Sequence, residues 1–255
     1  MLNDKLRIKE VKEGRTELTV KHNGQDLTFI HPAYGPDTYA TVGRLIEENG
    51  LIRPTMAQTA SLVHTVFDRY EDIYDFAYDN EYAINIRKIM RKLEGLWAFT
   101  GSLYVPKKGV YVQDNPEIRD GIPFMDESEL IRKLEANDPS VRFVPFNRFN
   151  IGKMTASKLL ENEYLIALVG EEGSEKLAEV AGKFKYNPYL WGLAYSYNVQ
   201  EPFKIRVSSI SILWDELLWK TDENLHINGA EYPSSFAAAF GIQKKNNKTL
   251  KSIEK

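Results

Sequence analysis

RKIMRKLEGLWAFTGSLYVPKKGVYVQDNP, residues 87–116, contains the change of period on which the fold turns. Up to Gly95 the apolar residues recur at helical spacing. Ala83, Ile86, Met90 and Leu93 share one stripe of a helix expected over 81–94, with Gly95 just past its end. Beyond it two β-rich runs, Leu103 to Val105 and Val110 to Val112, flank PKKG and predict a hairpin. Arg87, Lys88, Arg91 and Lys92 form a continuous arc on the side of the helix away from the stripe. Lys107 and Lys108 stand at the hairpin tip, with Tyr104 and Tyr111 on its arms. Phosphate contacts need long cationic side chains on a rigid support, and a helix followed by a hairpin provides one.

Upstream, KLRIKEVKEGRTELTVKHNGQDLTFIHP alternates as strands do, and predicts strands near 5–11, 16–21 and 26–30. A tight turn is expected at Asn23-Gly24. HPAYGP then reads as a break. A helix over 38–49 takes Asp37 as its cap and Gly50 as its stop, and a second, over 55–70, starts on Thr55. Helices near 38–49, 55–70 and 81–94, followed by a two-stranded element near 103–112, resemble the winged-helix fold in element order. That resemblance implies that the third helix enters the major groove while the hairpin touches the adjacent backbone. It covers about 80 residues and rests on order and charge.

Downstream, Asp126 and Glu129 make a capping box, VRFVPF and FKIRVSSISILW read as strands, and Asn228-Gly229 reads as a second turn. TASKLLENEYLIALVG and SEKLAEVAGKF read as helices, the second capped by Ser174. Blocks of strands and helices without strict alternation indicate an α+β fold. The expected division is a β-hairpin plus winged-helix-like region over 1–118, a mixed α+β portion over 119–243, and a basic tail over 244–255.

The bulk properties narrow the function classes. The chain has 255 residues, no cysteine and a net charge of −3. Thiolate catalysis, disulfides and Cys-based metal sites are therefore excluded. The charged start and the absence of a long apolar run predict a cytoplasmic protein with no membrane segment. Charge is uneven: residues 84–158 are net positive, between two net-negative segments.

Nucleic-acid binding without catalysis is the first functional expectation, with Arg87, Lys88, Arg91, Lys92, Lys107 and Lys108 as phosphate contacts and no cofactor. VRFVPFNRFNIGK adds a basic-aromatic stretch, in which Phe143, Phe146 and Phe149 alternate with Arg142, Arg148 and Lys153, as in single-strand binders. A second expectation is a protein partner held on an acidic face carrying Tyr70, Tyr74, Tyr78 and Tyr82 at four-residue spacing. The third is a metal-dependent or acid/base enzyme around His64 and Asp68, with Glu71 one turn on and His31 in its Gly/Pro loop. The phosphate-loop, nucleophile-elbow and zincin signatures are absent.

Overall fold

The computed structural model describes residues 7–12, 15–68, 95–193, 204–214 and 223–244. Among them an eleven-stranded sheet runs β1 (Arg7–Lys12), β2 (Arg15–His22), β3 (Gln25–Asp37), β13 (Ala237–Ile242), β4 (Leu96–Val105), β11 (Lys204–Trp214), β12 (Glu223–Glu231), β10 (Tyr189–Trp191) and β9 (Gly152–Lys153). β5 (Gly109–Asp114) joins β4 beyond β13, and β8 (Val141–Pro145) joins β5. β6 (Glu117–Arg119) and β7 (Ile122–Phe124) pair as a separate ribbon. The fold is α+β and opens on the β1–β2 hairpin. β11 and β13 draw the C-terminal half into the same sheet as β3 and β4.

β4 is the centre of the molecule. The hairpin expected around PKKG is present, with Leu103 opposite Tyr111 and Val105 opposite Gly109. Its first strand starts seven residues earlier than the sequence indicated, and all ten of its residues are buried. A strand covered on both faces has no apolar–polar alternation, so Leu96–Ser102 gives no period-2 signal. Leu96, Ala98 and Tyr104 pack into the main core with helices α2 (Met56–Asp68) and α5 (Glu163–Gly182). From the opposite face, Trp97 and Phe99 pack on α1 (Tyr39–Glu48). Leu103 and Val105 pack on Leu130 of α3 (Glu127–Glu135). The expected wing is thus two strands inside a large sheet, β4 continued by β11 and β5 by β8, and the third helix of the winged-helix resemblance lies outside the described residues.

Local chemistry fixes several joints. Asn23 and Gly24 both take positive φ (48° and 70°) and close β2 on β3 as expected. Thr55 and Gln58 cap the start of α2 reciprocally, and Asp126 accepts from Glu129 N at 2.9 Å to start α3. Three expectations are corrected. The cap of α1 is Thr38, whose hydroxyl accepts from Thr41 N, while Asp37 accepts from Thr38 N one residue earlier. HPAYGP does not end its strand: β3 continues to Asp37, its prolines falling where bulges against β13 skip a partner. α5 kinks at Gly170 (φ 73°), where the first of the two expected helices ends. Ser174 lies beyond that kink and caps nothing, its hydroxyl donating to Leu159 O at 2.8 Å, while Thr155 and Asn162 start α4 (Ala156–Leu160) and α5.

Candidate nucleic-acid interface

Arg87, Lys88, Arg91 and Lys92 lie outside the described residues, as do the four tyrosines from Tyr70 to Tyr82. At the hairpin tip Lys107 is exposed in a left-handed conformation, φ 62°. Lys108 donates to Glu127 at 2.7 Å, and that carboxylate raises the lysine's pKa. The hairpin arms are buried: Tyr104 shares a 2.6 Å hydrogen bond with Tyr164, and Tyr111 packs 4.6 Å from Phe143. Burial raises the Tyr104 and Tyr164 phenols further above neutrality, so neither is a proton donor of use near pH 7.

The basic-aromatic stretch divides. Arg142 turns inward to Asp114, Arg148 pairs with Glu163, and Phe146 and Phe149 pack against the main core. Phe143 is exposed on β8, with its ring against Tyr111, and Lys153 is exposed in β9.

The enzymatic candidates also separate. His64 Nε2 lies 2.6 Å from Glu179 Oε2 of α5, Asp68 closes α2, and the His31 ring stacks on Phe240. Among the described residues no three His, Asp or Glu side chains are grouped to hold a metal ion. A cluster that sequence reading missed joins Ser61, His22, Lys176 and Glu172. Ser61 Oγ lies 3.0 Å from both His22 Nδ1 and Lys176 Nζ. The serine is 1% exposed, and Lys176 also donates to Lys21 O and Glu172. No substrate carbonyl can reach that hydroxyl, so the cluster is a clamp between α2, α5 and the β2–β3 turn. An acidic recess of about 210 Å³ by α3 has its carboxylates engaged by Arg119, Lys133 and the α3 cap.

The far end of the sheet is different. Register places Lys153, Tyr189, His226 and Ser211 side by side across β9, β10, β12 and β11. The next row on the same face is Trp191, Asn228, Ser209 and Trp97. Between them, pointing the other way, Leu190, Ile227 and Ile210 join the main core beneath. One face is therefore fully apolar and packed, while the other carries rings, hydroxyls, an amide and an ammonium.

That face opens toward its edge. Ser209, Ser211 and His226 are buried, Tyr189 is half-buried, and Trp191 and Lys153 are exposed. The Tyr189 and Trp191 rings stack at 4.1 Å between centroids and 30° between planes, and the His226 ring lies 5.8 Å from Tyr189 at 17°. Trp191 Nε1 donates to His226 Nδ1 at 2.8 Å. Before β10, Tyr186 has the Lys153 and Lys185 ammonium groups 5.7 and 5.1 Å from its ring centre. Lysines beside stacked, partly exposed rings can hold phosphate while the rings take a base.

The chemistry was present in KFKYNPYLWG, but nothing in its spacing indicates that β10 pairs with β9 and β12 and so joins Lys153 and His226 to it. Comparison with family models, with curated proteins and with solved structures yields no match.

Proposed function

We propose that this is a non-enzymatic nucleic-acid-binding protein that takes a single strand on the open face of β9, β10 and β12. Trp191 and Tyr189 stack a base, and Lys153 and Lys185 contact the flanking phosphates. The observation that carries this reading is the stacked, partly exposed Tyr189–Trp191 pair with Lys153 beside it in register. Every base has a π-face, so such a site accepts many sequences, and a duplex, whose bases are already stacked, binds more weakly.

Fluorescence anisotropy with labelled single-stranded and duplex oligonucleotides at low salt tests the proposal. Trp191→Ala is expected to cost about 1–3 kcal/mol in single-strand affinity. Lys153→Glu with Lys185→Glu is expected to flatten the salt dependence. If Arg87, Lys88, Arg91 and Lys92 supply the phosphate contacts with Lys107 and Lys108, charge reversal at Arg87 and Arg91 abolishes binding while Trp191→Ala leaves it unchanged. Absence of binding to either form at low salt rejects both arrangements.

A further inference from the structure

The indole N–H of Trp191 can only donate a hydrogen bond, so the atom it meets must carry a lone pair. That atom is His226 Nδ1, at 2.8 Å. The imidazole must therefore be neutral, with its one proton on Nε2. Among the described residues few groups compete for the ring. Tyr189 of β10 stacks beside it, and Ser211 of β11 stands opposite it in register. Lys153 of β9 lies beyond Tyr189, and Trp97 of β4 lies beyond β11 in the neighbouring row. Glu231, further along β12, accepts from Asn228 and Ser235, and α5 covers the opposite face over Leu225 and Ile227.

We infer that His226 is a positioning residue: its unprotonated Nδ1 fixes the indole of Trp191 in the ring stack, and a proton arriving there frees the indole and releases a stacked base. The consequence for a base rests on the proposed function, whereas the tautomer and the held indole do not. Burial lowers the pKa of His226 to about 4, so the lock is closed throughout the neutral range.

The test is ¹⁵N NMR on the full chain, with the Trp191 indole resonance identified by its loss in Trp191→Phe. At pH 7 His226 should show the Nε2–H tautomer. In His226→Leu the Trp191 indole should move to the position of an unbonded N–H. His226→Gln, whose amide oxygen accepts at any pH, should restore the bonded position. Affinity for a labelled single-stranded pyrimidine oligonucleotide should fall roughly tenfold in His226→Leu. In the parent protein the indole and His226 resonances should move together as pH falls toward 4; if acid unfolds the chain first, the Leu and Gln variants at pH 7 decide. An Nδ1–H tautomer, or an indole resonance unmoved by His226→Leu, overturns the inference. A held indole in a protein that binds no oligonucleotide refutes the proposed function and leaves the lock standing.

Discussion

Arg142 of β8 and Asp114 at the end of β5 form a two-pronged ion pair, with Nη2 and Oδ1 3.1 Å apart and each side chain about three-quarters buried. Arg142 also donates to Ala167 O of α5 and to Pro139 O. Asp114 accepts from Thr100 on β4, whose hydroxyl in turn accepts from Met56 N at the start of α2. One guanidinium thus joins the sheet to both helices of the main core. Arg142→Met strands the carboxylate in that setting and should lower unfolding free energy by about 2–4 kcal/mol. The urea midpoint should fall with the slope unchanged, and a shift worth under about 0.5 kcal/mol would show the network to be dispensable.

The same arginine shows where sequence reading stops. Phe–Arg alternation in VRFVPFNRF has the composition of a nucleic-acid face, yet Arg142 is spent on Asp114, a partner 28 residues away. Local signals held at Asn23-Gly24, at Thr55 with Gln58 and at Asp126 with Glu129, which each act within three residues. They failed at Asp37, Ser174 and Asn228-Gly229, where the chain continues its strand or helix. The candidate interface has no such signal. Lys153, Tyr189 and His226 become neighbours only through strand pairing, and no spacing along the chain encodes register between distant strands.

The two Asn-Gly pairs separate the turn signal from its look-alike. Gly24 has a positive φ and open space around it, so Gly24→Ala should cost about 1 kcal/mol, from backbone strain alone. Gly229 forms no turn: β12 runs through it, and an added Cβ would collide with the Tyr164 hydroxyl. That hydroxyl is bonded to Tyr104, which also donates to Gly229 O at 3.1 Å, so it cannot step aside cheaply. Gly229→Ala should cost about 2–3 kcal/mol, within the range for overpacking a core. Parallel urea titrations check the order; equal losses would contradict it.

His226 also ties stability to pH. Its folded pKa of about 4 lies below the unfolded value near 6.5, so the unfolded chain binds the extra proton between those limits. This contribution is complete above pH 6.5 and is lost as pH falls toward 4, to a total of about 3 kcal/mol. His22, likewise lowered by burial, acts with the same sign. Urea midpoints between pH 7 and 4.5 should fall less steeply in His226→Gln than in the parent, and identical slopes would exclude His226 as the source.

His64 and Glu179 offer a plain test of the enzymatic alternative. Glu179 is 65% exposed, and a pair so open to water contributes little. His64→Ala should cost at most about 1 kcal/mol and leave single-strand binding unchanged. Protein purified without an affinity tag should give the same elemental analysis with and without the substitution. Stoichiometric zinc or manganese lost on His64→Ala would return His64 to the centre of the function.

The hairpin tip decides between the two sets of phosphate contacts. Lys107 pays for its left-handed backbone, so Lys107→Gly should raise stability by up to about 1 kcal/mol while deleting an exposed charge. Lys108 must give up Glu127 before it can serve a phosphate, which offsets what that phosphate would contribute. With binding on the sheet face, Lys107→Gly combined with Lys108→Gln should change oligonucleotide affinity less than about twofold, and leave the salt slope intact. The same double change at a true phosphate site would lower that slope by about 1.4 for a single strand. Salt titrations of this variant and of the Lys153/Lys185 variant should therefore diverge; a reduced slope in the tip variant alone would move the interface to the hairpin.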